Sequence, residues 1–225
     1  MALRERAMSV RRAAIAGALV GCGLAAAGLG AGFLLSAGRA APPTLPPVAA
    51  PPPESHLPFG PIRPPRALPS VVLRVDDGAA TTLAALTQGR YTLAQLMFTG
   101  CSVTCPIQGA IFKATQAELT AEGAEAQLLS ISVDVVGDAP DALARWLRGF
   151  EARTGWRAAV PSPEGLGPLI DALNGRGSGP DVHDARVYLI APSGKLIFVT
   201  EDMPSPRYLA KLVRDAAAFE ARRPG

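Results

Sequence analysis

The stretch TGCSVTCP, Thr99–Pro106, joins an apolar run to a helical run and holds two of the chain's three cysteines. Upstream, Tyr91–Thr99 is a mostly apolar segment of the kind that forms a buried strand. Pro106 suits the first turn of a helix, where its missing N–H removes no hydrogen bond. The pattern predicts a strand, a loop with two sulfurs, and a helix that ends at Gly123.

The rest of the body alternates strands and helices. Ile107, Ala110, Ile111, Ala114 and Leu119 predict the buried face of the helix after the cysteines. The other predicted elements are strands Val71–Val75 and Gln127–Val133, helices Asp141–Arg153 and Glu164–Leu173, the hairpin Arg186–Ile190 and Leu196–Thr200, and a closing helix, Ser205–Phe219. This order predicts one α/β domain over residues 70–225, with the three layers of a thioredoxin-like fold.

The formal charge of +3 comes entirely from residues 1–12, which hold four arginines and one glutamate. The remaining chain balances at 18 basic and 18 acidic residues. A neutral body without a basic patch lacks the electrostatic footprint of a nucleic-acid-binding protein. Nucleic acid is therefore excluded as a partner.

Residues 13–38 are 26 consecutive uncharged residues, about the length that crosses a bilayer. We interpret them as a membrane anchor that follows a cytoplasmic segment, residues 1–12. The arginines before the run predict an exported body by the positive-inside rule, so the chain is expected to be a single-pass protein of the inner membrane with its domain in the periplasm. If the run is instead a signal peptide cleaved near residues 37–41, or a lipoprotein signal that leaves lipid on Cys22, the domain is still exported.

Residues 39–69 are rich in proline, with 12 prolines between positions 41 and 69. Such a composition is typical of a semi-rigid, polyproline-like linker. A domain on this linker can act a short distance above the membrane, on another protein embedded there.

Three kinds of chemistry compete for the cysteine pair Cys101 and Cys105. A structural disulfide is the simplest, but so short a loop gives it little entropic effect. Thiol–disulfide exchange is the second, although thioredoxin-like enzymes place two residues between their cysteines and this chain places three. The third is metal binding, because residues four apart at a helix start face the same way and the helix dipole favours thiolates.

The chain has two histidines, His56 in the proline-rich segment and His183 before a predicted strand. In an α/β sheet the loops at the ligand-bearing strand ends meet near one edge, which favours His183 as a third ligand. Two thiolates and one imidazole suit copper, whereas structural zinc takes four protein ligands.

Three motifs in order resemble the Sco/SenC/PrrC family of membrane-anchored copper proteins. They are the cysteine loop Phe98–Pro106, the segment Ile131–Asp134 with Asp138–Pro140, and Val182-His183-Asp184 followed by Tyr188–Lys195. The chain departs from the family in having Ser102 and Val103 after the first cysteine, where proline and an acidic residue are usual.

The resemblance implies a thioredoxin-like fold, with Cys101, Cys105 and His183 as copper ligands. It also implies delivery of copper to the binuclear centre of cytochrome c oxidase subunit II or to another copper acceptor protein. The alternative is a periplasmic thiol–disulfide oxidoreductase or redox sensor that acts through Cys101 and Cys105, and a module that holds copper without delivering it is a third possibility.

The supporting residues have simpler interpretations. Asp134 and Asp138 follow a predicted strand, and two roles compete for them: steering a partner or supporting the site, and capping the next helix. Capping is the expected role, because acidic residues after a strand usually cap the helix that follows. Met97, Trp146 and Trp156 are expected to pack in the core or at its edge.

Overall fold

Three parallel strands form the centre of the sheet in the computed structural model, which describes residues 59–176 and 183–222. The strands are β1 Gly60–Ala67, β2 Val72–Val75, β3 Ala80–Thr82, β4 Tyr91–Met97, β5 Ala126–Ser132, β6 Trp156–Pro161, β7 Val187–Ile190 and β8 Lys195–Val199. The helices are α1 Leu83–Thr87, α2 Thr104–Ala121, α3 Pro140–Gly149, α4 Pro163–Leu173 and α5 Pro206–Ala221.

The eight strands form one sheet in the order β1-β8-β7-β4-β5-β6-β2-β3. The neighbours β4, β5 and β6 are parallel, and the strands outside them pair antiparallel. Parallel central strands require coverage on both faces, which explains why β4 and β5 are almost continuously buried.

Helices cover both faces of this sheet. One core contains side chains of α2, α3 and α5, and the other contains side chains of α1 and α4. Successive residues of β4 alternate between the two, with Leu93 and Met97 in the first core and Ala94 and Leu96 in the second. The predicted three-layer, thioredoxin-like α/β architecture is confirmed, and Met97 is a core residue as expected.

An aromatic cluster fills the core next to α2. The ring of Trp156 lies 5.7 Å from that of Phe112 on α2 and 5.6 Å from that of Trp146, centroid to centroid. Its indole N–H donates to Ser130 Oγ at 3.0 Å. The prediction that the tryptophans serve packing is confirmed.

Strand β1 lies within residues 39–69, so the linker prediction is wrong for residues 60–67. The strand pairs antiparallel with β8 from Gly60 opposite Val199 to Ala67 opposite Lys195, with an irregular register in between. Prolines are tolerated there because, among the strands that the structure describes, β1 is an edge strand whose outward N–H groups have no partner.

The predicted buried face of α2 is right for Leu119, which is buried, and in part for Ile111, which packs against the core, but wrong for the other three residues. Ile107 is 53% exposed, and Ala110 and Ala114 are exposed as well. The helix instead buries Cys105, Gln108, Gly109, Phe112, Thr115 and Leu119. Apolar periodicity fails here because a polar glutamine and threonine lie on the inner face.

The predicted anchor, residues 13–38, lies outside the described residues, as does the segment 1–12. Within the described ranges, no helix combines the length and apolar character needed to span a bilayer.

Candidate metal centre

The cysteine loop connects the carboxyl end of β4 to α2. Cys101 is partly exposed and Cys105 is fully buried in the first turn of the helix. The two are not joined in a disulfide. The backbone N–H of Cys105 donates to Cys101 Sγ at 3.3 Å, and no side chain of the N-cap residue Val103 competes for the first-turn N–H groups. The sulfur of Cys101 therefore acts as the cap of α2.

This position changes the acidity of Cys101. Partial burial raises the pKa of its thiol, but hydrogen bonds from the backbone N–H groups of Cys105, Val103 and Thr104 and from the Cys105 side chain together lower it by more, so the pKa lies below its ordinary value. N–H groups at a helix start carry partial positive charge and favour thiolate. Cys101 is thus prepared to act as a nucleophile or as a metal ligand.

Alkylation of Cys101 by iodoacetamide should reach half its maximal rate at a lower pH than alkylation of the same thiol in the unfolded chain. Only the thiolate reacts, and a lowered pKa gives the folded protein more thiolate at each pH below the ordinary value of about 8.5. Peptide mapping by mass spectrometry over a pH series measures the rate. If the pH at half-maximal rate were the same for the folded chain as for the chain unfolded in urea, the pKa of Cys101 would not be lowered.

Sheet register brings His183 to the same edge as the cysteine loop. Strand β7 runs antiparallel to β4 and pairs Val187 with Gln95, so the residues before β7 lie beside the carboxyl end of β4. Phe98, the first residue after β4, accepts the N–H of Cys101 at 3.2 Å through its carbonyl. Its ring meets that of His183 edge to face, with centroids 6.2 Å apart.

One nitrogen of His183 is already engaged. Nδ1 lies 2.7 Å from the carbonyl oxygen of Asp184, and the ring is 6% exposed. Since a carbonyl only accepts, Nδ1 carries the hydrogen, and Nε2 of the neutral ring keeps its lone pair. A metal-binding histidine commonly has this arrangement, with one nitrogen oriented by a backbone carbonyl.

The backbone after His183 is fixed by a buried carboxylate. Asp184 accepts from Tyr188 Oη at 2.5 Å and lies 3.5 Å from Arg186 Nε, and its N–H donates to Gly175 O at 3.1 Å. Burial raises the pKa of Asp184, although the bonds from Tyr188 and Arg186 oppose the shift. Burial and the nearby Asp184 carboxylate also raise the pKa of Tyr188. The oxygen next to His183 Nδ1 is therefore held rigidly.

The structure brings the two sulfurs together and places His183 at the same sheet edge. It does not assemble them into a ready ligand set: within residues 59–176 and 183–222, no group of three or more His, Cys, Asp or Glu residues is arranged to hold a metal ion. The assignment of Cys101, Cys105 and His183 as ligands stays a prediction. His56 lies outside the described residues.

Gln108, one turn after Cys105, is a buried residue near the site that the apolar pattern of the sequence does not indicate. Its side chain is 2% exposed, and within the described part of the chain neither amide atom has a hydrogen-bond partner. A buried amide without partners costs about 1–3 kcal/mol of stability. The signal for it was its i+3 spacing from Cys105, which puts both on one helix face.

Replacement of Gln108 by leucine should raise the free energy of unfolding by about 1 kcal/mol, because an apolar side chain of similar size removes the unpaired amide. Urea denaturation of the reduced chain measures it. Gln127→Leu is the matched control, since that buried amide donates to Leu86 O at 2.6 Å and to Thr92 Oγ1 at 2.7 Å. If both variants lost the same free energy of unfolding, the Gln108 amide would be hydrogen bonded in solution.

Two sequence comparisons relate this chain to known proteins. The SCO1/SenC family model matches residues 72–159, which include both cysteines. The SCO1 protein homolog of Bacillus subtilis (strain 168) is 28% identical over 142 residues, covering 54% of this chain and 67% of that protein.

Solved structures have a similar fold. BsSco, described as a member of the Sco family of cytochrome c oxidase assembly proteins in which a disulfide switch was identified, has a TM-score of 0.60 at 21% identity, covering 69% of this chain and 96% of its own. Yeast Sco1 with copper bound has a TM-score of 0.58 at 17% identity, covering 71% of this chain and 96% of its own. The sequence matches support the predicted family, and the structural matches show the fold.

Proposed function

We propose, for a chain whose relatives are the SCO1/SenC proteins, that it binds one copper ion through Cys101, Cys105 and His183 and delivers it to a copper acceptor in cytochrome c oxidase assembly. The observation that carries the proposal is the pair of unbridged cysteines at the start of α2, with the Cys105 N–H 3.3 Å from Cys101 Sγ. A relative, yeast Sco1, has been solved with copper bound.

The donor set fits copper by its chemistry. Thiolates select Cu(I), and imidazole accepts either oxidation state of copper. The lowered pKa of Cys101 reduces the cost of forming one thiolate at neutral pH. The carbonyl of Asp184 holds the proton on Nδ1 of His183 and leaves Nε2 as the nitrogen for the metal.

Delivery requires that an acceptor's ligand reach the ion before this chain's ligands leave. Three protein ligands leave room for that exchange, whereas a closed site of four ligands does not. The expected acceptor is the binuclear copper centre of cytochrome c oxidase subunit II. On this proposal residues 13–38 hold the domain at the inner membrane, on its periplasmic side, near such a client.

The test is an anaerobic titration of the reduced chain with Cu(I), followed by mixing with an apo acceptor domain. One copper per chain and its transfer to the acceptor are the expected results. Uptake without transfer would favour a module that holds copper. Absence of uptake by the reduced chain would overturn the proposal.

The second candidate is a thiol–disulfide oxidoreductase or redox sensor. It is favoured by the lowered pKa of Cys101, since a thiolate is the attacking species in disulfide exchange. Reduction of a model aromatic disulfide, followed with and without copper, measures this activity directly.

A further inference from the structure

Asp138, in the connection between β5 and α3, is a buried carboxylate without the role predicted for it. The residue is 5% exposed. Helix α3 begins after the N-cap residue Ala139, and no side chain caps it. Asp134, the other predicted cap, accepts instead from the N–H of Gly137 at 2.7 Å within its own turn. The capping prediction is therefore wrong for both residues.

The carboxylate of Asp138 binds the cysteine loop instead. Oδ2 accepts from the backbone N–H of Thr99 at 2.9 Å and from Ser132 Oγ at 2.6 Å, and Oδ1 accepts from Thr99 Oγ1 at 2.5 Å. Both oxygens are thus used, and two of the three bonds go to one residue. Hydrogen bonds to a charged acceptor are roughly twice as strong as neutral ones.

Thr99 is the second residue before Cys101, and the turn between them is closed by the Cys101 N–H to Phe98 O bond of 3.2 Å. A residue bound through both its backbone and its side chain has little freedom, so the start of this turn is fixed relative to β5. The position of Cys101 Sγ beside the Cys105 N–H depends on that turn.

We propose that Asp138 is a positioning residue for the metal-binding cysteines: it holds Thr99 so that Cys101 stays beside Cys105. The inference deepens the proposed copper function and rests on it. Partners that orient metal ligands typically contribute about 10–100-fold to metal affinity.

The asparagine variant separates hydrogen bonding from charge. In Asp138→Asn the amide oxygen accepts from the Thr99 N–H and from Ser132, while the amide NH₂ donates to Thr99 Oγ1, which accepts as well as donates. All three bonds are preserved without the charge. In Asp138→Ala all three are lost.

A matched control lies at the opposite end of the sheet. Asp76 also ties a loop to a strand, accepting from Arg157 Nε at 2.8 Å and from the Ala158 N–H at 3.1 Å, near the start of β6. Asp76→Ala therefore removes a comparable network remote from the cysteine loop.

The experiment measures Cu(I) affinity of the reduced full-length chain by competition with a chromogenic chelator, together with the iodoacetamide rate of Cys101 in the apo chain. Asp138→Ala should bind copper about 10–100-fold more weakly and its Cys101 rate should move toward that of the unfolded chain. Asp76→Ala should match the wild type in both, and Asp138→Asn, which keeps the three hydrogen bonds without the charge, should lose clearly less than Asp138→Ala. If Asp138→Ala does not fold, Thr99→Val, which deletes one bond, should show a smaller loss in the same direction.

Two results would overturn the inference. One is that Asp138→Ala binds copper no more weakly than Asp76→Ala, and the other is that Asp138→Asn binds copper as weakly as Asp138→Ala. If the wild type takes up no copper, the proposed function fails, and the Cys101 rate alone decides the role of Asp138.

Discussion

Replacement of Cys101 by serine should lower Cu(I) affinity by more than the roughly 10–100-fold that loss of an outer partner costs. A serine hydroxyl stays protonated at neutral pH and is a hard oxygen donor, whereas Cu(I) prefers soft thiolate. The fold should persist, because Cys101 is partly exposed and serine Oγ can accept the same N–H of Cys105. Chelator competition under anaerobic, reducing conditions measures the affinity, and circular dichroism verifies the fold.

Cys22→Ser is the matched control for this substitution. That third cysteine lies in the predicted membrane segment, and its loss should leave copper affinity unchanged. An affinity of Cys101→Ser within about tenfold of the wild type, a difference of only about 1.4 kcal/mol, would remove Cys101 from the ligand set.

Replacement of His183 by asparagine should separate the two candidate functions. The asparagine amide can still donate to the Asp184 carbonyl, as Nδ1 does now, but offers no imidazole nitrogen to a metal. A copper carrier should lose affinity by at least the same roughly 10–100-fold. A reductase that uses only its sulfurs should keep most of its turnover of an aromatic disulfide.

His56→Asn provides the control, since it alters the only other histidine of the chain. Both measurements should remain at wild-type values in that variant. Copper affinity that survives in His183→Asn would mean that two sulfurs suffice, and a parallel loss of disulfide turnover would mean that the histidine acts in thiol chemistry.

The sequence predicted the site region because strong local signals coincide there. The apolar run before Thr99 and the proline after Cys105 indicate a strand, a loop and a helix from the local sequence alone. The place of His183 followed from topology, and the pairing of Val187 with Gln95 confirms that it lies at the same sheet edge.

What the sequence did not reveal depends on long-range contacts. Strand β1 was missed because prolines disfavour strands, and only its edge position beside β8 makes them acceptable. For Asp138 a cap was favoured over support of the site, because Thr99, its main partner, is 39 residues away. The inner face of α2 was misjudged because Gln108 and Thr115 are buried polar residues, which apolar periodicity cannot detect.

The aromatic cluster next to α2 has a practical consequence. The chain's two tryptophans, Trp146 and Trp156, both belong to it, so tryptophan fluorescence arises from this single region. Phe112 connects the cluster to the helix whose first turn carries Cys105. The emission maximum and quantum yield thus report on the packing of that helix, and unfolding can be followed optically without an attached dye.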